Sequence, residues 1–240
     1  MDVISISLPQ LSLAFLPVAV VVALMWHWSH GYRRALYAIA RMLLQLTLIG
    51  YVLIYIFETD SALFIAAVLG VMVVAASWIA LNTAGGSRGP LFGASLVSVL
   101  IGGGTTLALI TQGVLNLDPW YQPSYVIPLA GMIFSASMTN ISLALERLEA
   151  ELGNGAAYED ARNIAFRASM IPVINSFFAV GLISLPGMMT GQILSGVSPL
   201  IAARYQIMVM CMIFGAAGLS TICFLLLIRH NRTLTTPATP

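Results

Sequence analysis

The chain contains no lysine, only two cysteines and few charged residues of either sign. Of its 240 residues 8% are charged and 59% are hydrophobic, whereas an ordinary soluble domain has about 25% charged residues. This composition excludes a cytosolic enzyme, a nucleic-acid-binding domain and a disordered linker. The missing lysine excludes Schiff-base chemistry and a phosphate-binding loop. Cys211 and Cys223 lie in one apolar run and are interpreted as small core hydrophobes.

Acidic residues are absent from the long apolar runs, and the familiar catalytic motifs are absent from the whole chain. Proton-coupled carriers usually need an intramembrane carboxylate, and aspartyl intramembrane proteases need two. Neither G-x-S-x-G nor H-E-x-x-H occurs. His27, His30 and His230 lie at the ends of apolar runs, where solvation at the membrane interface explains them best. We therefore expect no enzyme activity, no catalytic residue and no cofactor on this chain, and the pattern identifies no metal ligands.

Seven apolar runs are long enough to cross a bilayer, which takes about 20 residues. Lipid-exposed backbone must satisfy its own hydrogen bonds, so the runs should be helices. The predicted fold is an all-α polytopic membrane protein with about seven transmembrane helices. We expect one transmembrane domain over residues 1–232 and a disordered Thr/Pro-rich tail over 233–240. The runs are Leu8–Trp28, Ala35–Phe57, Ser61–Leu81, Pro90–Leu109, Val126–Leu145, Pro172–Leu185 with a continuation to about Ile193, and Ala202–Ile228.

Arginine placement predicts the orientation. Eight arginines lie in alternate loops, after the first, third, fifth and seventh runs: Arg33, Arg34, Arg88, Arg147, Arg162, Arg167, Arg229 and Arg232. The opposite loops contain Asp2, Glu58, Asp60 and Asp118, with Arg204 as the single arginine. Basic residues concentrate on the cytoplasmic side. The N-terminus should therefore lie outside and the C-terminus in the cytoplasm.

One sizeable cytoplasmic segment, about residues 146–170, separates the fifth and sixth runs. It should continue the fifth helix to a break at Gly153-Asn154-Gly155 and then form a short helix over Tyr158–Ser169. Ala161, Ile164, Ala165 and Ala168 fall on one face of that helix. Such a helix could dock in a groove of a partner protein or lie on the lipid headgroups, and the pattern does not choose between them.

Polar residues inside the apolar runs are candidates for a substrate path. Arg41 and Gln45 are four residues apart and share a face, although Arg41 could also extend to the cytoplasmic surface. In the fifth run Gly131 and Ser135 have the spacing of close helix packing, and Met132 and Asn140 lie on the same stretch.

A helix break is predicted at Pro186-Gly187, inside the weakest apolar run. Broken backbone at membrane depth persists only where protein or a watery cavity surrounds it, and transporters often place such breaks on the substrate path. Met188 and Met189 would add soft thioether groups there, and Gln192 a harder amide oxygen. The alternative is a simple external hairpin between the sixth and seventh spans.

Several stretches resemble one family of membrane proteins, the FetB-type ABC permeases, in order along nearly the whole chain. They are Val180–Gly196 with its Leu-Pro-Gly-Met-Met core, Tyr205–Met208, Arg41 with Leu44–Leu46 and Gly50–Leu53, Ile127–Ile133, and Ile171-Pro172 with Asn175-Ser176. Bacterial members of this family are described as iron exporters, and plant relatives are linked to aluminium tolerance.

The resemblance implies a permease subunit in the bacterial inner membrane that exports iron or another metal ion. ATP would be hydrolysed by a separate cytoplasmic ABC ATPase, and two permease chains would pair. The implied substrate path comprises Arg41, Gln45, Met132, Asn140, Asn175, Pro186, Gly187, Met188, Met189 and Gln192. The implied coupling residues are Tyr158, Ala161, Arg162, Ala165 and Arg167. Two rival interpretations remain: a self-sufficient secondary carrier or channel, and a non-transporting membrane scaffold for an enzyme partner.

Overall fold

The computed structural model describes residues 6–28, 31–58, 61–84 and 88–230. Helices make up nearly all of this part, which confirms the predicted all-α class. The chain divides into two compact units, residues 1–59 and 60–240. Asp2, His30, Asp60, Arg232 and the predicted tail over 233–240 lie outside the described residues.

The first unit contains the first two predicted spans. Helices α1 (Leu8–Leu13) and α2 (Phe15–Trp28) together form the first, and α3 (Tyr32–Phe57) forms the second. Ser7 begins α1 with a capping box, in which its hydroxyl accepts the Gln10 backbone N–H and the Gln10 side chain accepts the Ser7 N–H. Helix α2 packs against α3 within this unit.

The helical segments of the second unit are α4 (Ala62–Ala80), α5 (Arg88–Ser98), a π-helical segment (Val99–Gly104), α6 (Thr105–Ala108), a second π-helical segment (Leu109–Val114), α7 (Pro123–Gly153), α8 (Tyr158–Ala179), α9 (Gly187–Leu194), α10 (Pro199–Leu227) and a 3-10 turn (Ile228–His230).

The second unit is built around its two long helices, α7 and α10. Helix α7 packs against α4, α8 and α10, and α10 also packs against α5 and α9. Their shared core contains Ile133, Ile141, Leu148, Met212 and Phe224, all buried.

Within the described ranges, six helical stretches are long and apolar enough to cross a membrane: Leu8–Trp28, Tyr32–Phe57, Ala62–Ala80, Arg88–Val114, Pro123–Gly153 and Pro199–Leu227. They correspond to six of the seven predicted spans. The predicted sixth span differs, because its first part is the end of α8 and its last part is the separate helix α9. Residues 180–186, which lie between these two parts, belong to neither helix. The orientation of the termini stays a prediction.

The segment between α7 and α8 follows the prediction at its start and departs from it at its end. Helix α7 ends at Gly153, and Gly155 adopts a positive φ of 85°. The N–H groups of Gly155 and Ala156 return to the carbonyls of Leu152 and Glu151, as in a Schellman cap. The predicted short helix over Tyr158–Ser169 was wrong in length, since α8 continues through Pro172 to Ala179. Packing of α8 on α7 and α10 outweighs the lost hydrogen bond at the proline.

Two helices approach each other closely where the first π-helical segment meets α10. A Cβ atom on Gly102 would lie 2.4 Å from the backbone nitrogen of Ser220 and 2.7 Å from its Cα. The Ser220 hydroxyl donates to Ser137 Oγ at 2.9 Å, and the Ser137 hydroxyl donates to the Ala216 carbonyl at 3.3 Å. The sequence predicts close helix packing at Gly131 and Ser135 instead. A Cβ atom on Gly131 would lie 3.7 Å from Met72 Cε, which is an ordinary contact, and Ser135 is exposed.

Candidate functional site

Two clefts with polar or sulfur-containing walls lie along the second unit. The first, which we call the amide cleft, has a volume of about 390 Å³ and lies where α7, α8 and α10 meet. Its walls are formed by Met132, Ser135, Ala136, Thr139, Asn140, Leu143, Pro172, Val173, Ser176 and Ile213. Two predicted path residues, Met132 and Asn140, are therefore brought together here with three hydroxyl groups.

Asn140 gives the amide cleft its chemical character. The side chain is only 3% exposed, and its Nδ2 donates to the Ala136 carbonyl at 3.1 Å. Its Oδ1 is buried and accepts no hydrogen bond from the described residues. A buried acceptor without a partner costs about 1–3 kcal/mol. A ligand or water that donates to Oδ1, or a cation that coordinates it, would recover that energy.

The second cleft, which we call the sulfur cleft, has a volume of about 430 Å³. It lies between the end of α8, α9 and the first half of α10, and is lined by Phe177, Val180, Gly181, Met189, Ala203, Gln206, Ile207, Met210 and Cys211. Gln206 is 5% exposed, and its Oε1 is also buried without a partner among the described residues. The sulfur cleft thus combines three sulfur side chains with a buried amide oxygen.

The predicted break between α8 and α9 shapes one wall of the sulfur cleft. Gly181 has a positive φ of 82°, which glycine adopts without strain. The Ala179 carbonyl accepts from the N–H groups of Leu182, Ile183 and Ser184, and the Ser184 carbonyl accepts from Gly181. The carbonyl of Pro186 accepts from both the backbone and the hydroxyl of Thr190. The carbonyls of Ala179, Ser184 and Pro186 are therefore satisfied within the segment.

The predicted residues of α9 have different surroundings. Pro186 caps the helix and Gly187 is its first residue. Met188 packs against the main core, whereas Met189 lines the sulfur cleft. Gln192 Oε1 is buried and has no hydrogen-bond partner in the described part of the chain. Helix α9 packs on α10, so a helix–turn–helix follows α8, and its depth in the membrane stays a prediction.

The two clefts are neighbours along the same pair of helices. Ser176 lines the amide cleft and Phe177, the next residue of α8, lines the sulfur cleft. On α10, Gln206 and Ile213 are seven residues apart, which corresponds to a rise of about 10 Å. The rings of Phe177 and Phe214 contact each other with centroids 5.4 Å apart. A solute that follows the α8–α10 face would meet both clefts in turn.

Seven of the ten predicted path residues line neither cleft: Pro186, Gly187, Met188, Gln192, Arg41, Gln45 and Asn175. Arg41 and Gln45 lie one turn apart on α3, in the first unit, and both are exposed. Asn175 lies on α8 next to Ser176, and it is also exposed. For all ten residues a role in the path stays a prediction.

The predicted coupling residues lie at the start of α8, where that helix is attached to the end of α10. The Tyr158 hydroxyl donates to the Leu225 carbonyl, and Arg229 pairs with Glu159 at 3.1 Å. Burial raises the pKa of Tyr158, and the charges of Arg162 and Arg229 only partly oppose that shift. The tyrosine is therefore the neutral donor at ordinary pH. Arg147 and Glu151 form a second ion pair at 2.5 Å near the end of α7.

Burial separates the coupling residues into two groups. Ala161 and Ala165 are fully buried in the same cluster as Leu148 and Leu225, so a partner protein cannot reach them in this structure. The expectation that these two alanines contact a partner is therefore wrong for this structure. They are buried because their small side chains let α8 pack closely against its own chain. Arg162 is partly exposed and Arg167 is exposed. These two arginines remain available at the surface.

Three of the cleft residues were missed from the sequence. Gln206, Met210 and Cys211 follow one stripe of α10, and the signal for them was an amide inside an otherwise apolar run. Cys211 had been interpreted as a core residue, which is wrong, because it is exposed in the structure. The local apolar sequence cannot distinguish a helix face that meets the core from one that lines a cleft.

The linings of the two clefts contain few groups that can ionise. Apart from the Cys211 thiol, no ionisable side chain is present in either lining. Across the described residues, no group of three or more His, Cys, Asp or Glu side chains could hold a metal ion. A few amide, hydroxyl and sulfur groups therefore line two mostly apolar clefts of a multi-pass membrane protein.

Comparison with known proteins identifies the family. The model of the Uncharacterised protein family (UPF0014) matches residues 8–232, so the chain belongs to this family. The match confirms the predicted resemblance, because a FetB protein is among the relatives found. No solved structure matches the chain.

Relatives occur in bacteria and plants. The UPF0014 membrane protein slr1647 of Synechocystis is 37% identical over 221 residues, which is 85% of each chain. The probable iron export permease protein FetB of Escherichia coli is 34% identical over 238 residues, 89% of each chain. The UPF0014 membrane protein STAR2 of rice is 38% identical over 222 residues, 85% of this chain and 76% of the relative.

Proposed function

We propose that this protein is the membrane-spanning permease subunit of an ATP-driven ABC transporter that exports iron or another metal ion from the cytoplasm. The observation that carries the proposal is the 34% identity to the probable iron export permease of Escherichia coli along nearly the full length of both chains. The proposed location is the bacterial inner membrane.

The absence of a carboxylate from both clefts supports an external source of energy. In the described ranges, acidic side chains lie at helix ends or in a loop: Glu58 follows α3, Asp118 lies in the loop before α7, Glu146, Glu149 and Glu151 lie in the last turns of α7, and Glu159 and Asp160 begin α8. A proton-coupled carrier would need such a group on the substrate path. ATP hydrolysis by a cytoplasmic partner subunit would supply the energy instead.

The α7–α8 corner is the proposed contact with that ATPase. Tyr158 and the Arg229–Glu159 pair attach this corner to the end of α10, and α10 lines the sulfur cleft. A push on Arg162 or Arg167 would therefore be transmitted through a packed helix to a cleft wall. Two permease chains and two ATPase chains would form the complete transporter.

The amide and sulfur clefts are the proposed substrate path. Their oxygen and thioether groups can coordinate a metal ion without binding it as tightly as a site made of several carboxylates or thiolates. Such intermediate affinity suits a path, since a transported ion must leave again.

The test is reconstitution of the chain with the ATPase that co-purifies with it. The ATPase activity of the pair in liposomes should rise when Fe(II), or one metal of a tested panel, is present on the ATP side. Liposomes that contain the chain alone are the control and should move no metal. Metal movement by the chain alone would favour a self-sufficient carrier or channel and would contradict the proposal.

A further inference from the structure

We propose that the first π-helical segment is a register switch, which moves by one residue against α7 and α10 while the ends of its span stay in place. The segment Val99–Gly104 lies inside the span Arg88–Val114 and is followed by the short helix α6. A π-helical turn holds an extra residue relative to an α-helix, and such turns frequently occur at functional sites. When the extra residue moves one turn along the helix, only the residues that it passes change register, because the helix on either side already fits.

Two successive glycines of this segment are wedged between the two long helices. An added Cβ atom on Gly102 would lie 2.4 Å from the Ser220 nitrogen on α10, and one on Gly103 would lie 3.0 Å from the ring of Phe134 on α7. Both glycines are buried. The wedge therefore requires glycine at two neighbouring positions.

The third glycine of the run is not explained by this packing. No atom lies within 4 Å of an added Cβ atom on Gly104, and glycine is less stable than alanine inside a helix. If the extra residue moves one turn toward the N-terminus, Gly103 takes the position of Gly102 against Ser220, and Gly104 takes the position of Gly103 against Phe134. Three consecutive glycines thus supply both required positions in both registers, whereas two would supply them in only one.

Two threonine hydroxyls lower the cost of the change. The Thr105 hydroxyl donates to the Ile101 carbonyl, and the Thr106 hydroxyl donates to the Gly102 carbonyl at 2.7 Å. A register change requires backbone N–H groups to exchange carbonyl partners, and an unpaired carbonyl is costly inside a membrane. Each hydroxyl can hold its carbonyl while the N–H partner of that carbonyl changes.

The register change would act on the amide cleft through α7 and α10. Phe134, whose ring lies against Gly103, is followed by Ser135, a residue of the cleft wall. Since Ser220 and Phe134 confine the glycine run on both sides, it can pass them only while α7 and α10 separate, and both helices line the amide cleft. The register change stands on the packing of this chain alone, whereas its role in metal transport rests on the proposed function.

Gly104→Ala distinguishes the two registers. The alanine fits the described register, where its position is open, but after the change its methyl group would occupy the crowded position against Phe134. Overpacking of this kind should lower the population of the shifted register by about fivefold to thirtyfold. The thermal midpoint of the variant should hold or rise, and its metal transport per folded chain, in liposomes with the ATPase partner, should fall by about the same factor. Gly93→Ala is the matched control, because Gly93 lies in α5 of the same span with equally open surroundings, and it should leave transport unchanged.

Hydrogen exchange of the purified full chain in detergent tests the register change without transport. In the wild type, the amides of residues 99–104 should exchange faster than those of α5. Gly104→Ala should slow them by more than Gly93→Ala slows the amides around residue 93, which measures the effect of helix propensity alone.

The outcomes separate this inference from the proposed function. A wild-type pair that moves no metal would contradict the proposed function, and the exchange measurement would still decide the register change. Exchange over residues 99–104 as slow as in α5, equal slowing by the two variants, or normal transport by Gly104→Ala beside an active wild type would overturn the inference. A lowered thermal midpoint for Gly104→Ala would also overturn it, since the described register would then itself require the third glycine.

Discussion

Gly102 offers a sharp test of the packing that holds the first π-helical segment against α10. An alanine there would place its Cβ 2.4 Å from the Ser220 nitrogen and 2.7 Å from the Ser220 Cα, and these backbone atoms cannot rotate away. Overpacking of this kind typically costs about 1–3 kcal/mol, while the better helix propensity of alanine recovers up to about 1 kcal/mol. The steric term is larger at this distance, so Gly102→Ala should destabilise the protein.

The assay is thermal denaturation in detergent, followed by the loss of monodisperse protein. A net cost of about 1–2 kcal/mol should lower the midpoint by about 2–8 °C. Gly104→Ala is the matched control, because Gly104 lies in the same segment and no atom lies within 4 Å of its ideal Cβ position. Its midpoint should stay the same or rise slightly.

A second variant separates the backbone clash from a side-chain clash. Ser220→Ala removes the Oγ atom that also lies 2.4 Å from the added Cβ, but it leaves the backbone nitrogen and Cα in place. The double variant Gly102→Ala, Ser220→Ala should therefore stay destabilised relative to Ser220→Ala alone. Full rescue by Ser220→Ala, or equal midpoints for the two glycine variants, would refute the reasoning.

Three further outcomes are expected. Asn140→Leu should lower metal transport per folded chain. The thermal midpoint should hold or rise, because the variant removes an unpartnered buried oxygen. Thr221→Val is the control: it removes another such oxygen, outside both clefts, and should leave transport unchanged. Arg162→Glu and Arg167→Glu should each reduce co-purification of the ATPase, whereas Arg204→Glu, predicted on the opposite side of the membrane, should not; equal losses would contradict the proposed docking corner. Tyr158→Phe should cost about 0.5–1.5 kcal/mol of stability through the lost hydrogen bond to the Leu225 carbonyl. Since the folded pKa of Tyr158 is raised by burial, that contribution is present below the unfolded value of about 10 and is lost only as the pH rises through the folded pKa. The penalty should therefore be equal at neutral pH and mildly alkaline pH, and a penalty that fades there would count against a neutral donor.

Most of the helical framework was predictable because long apolar runs leave a membrane chain few alternatives. Six runs correspond to helices, and the end of α7 at Gly153 follows from its glycine-rich break. The length of α8 was not predictable from local sequence, because Pro172 and the charged first turns suggested two separate elements. Tertiary packing on α7 and α10 decides that point.

The candidate site was predictable in part. Met132, Asn140 and Met189 were identified from polar or sulfur groups in apolar runs and do line the clefts. Gln206, Met210 and Cys211 were missed, since membership of a cleft depends on how α9 folds back onto α10. The burial of Ala161 and Ala165 was hidden for the same reason, because a small apolar face looks identical whether its own chain or a partner covers it.

Metal movement in inverted membrane vesicles tests the central claim most directly. The cytoplasmic side faces the medium in such vesicles, so an exporter should accumulate Fe(II), or the metal that stimulates the ATPase, inside them. The account predicts accumulation that requires this chain, its ATPase partner and hydrolysable ATP together, and that falls when Asn140 is replaced by leucine. Accumulation without ATP or without the partner would contradict it, as would ATP hydrolysis by the complete pair with no movement of any metal.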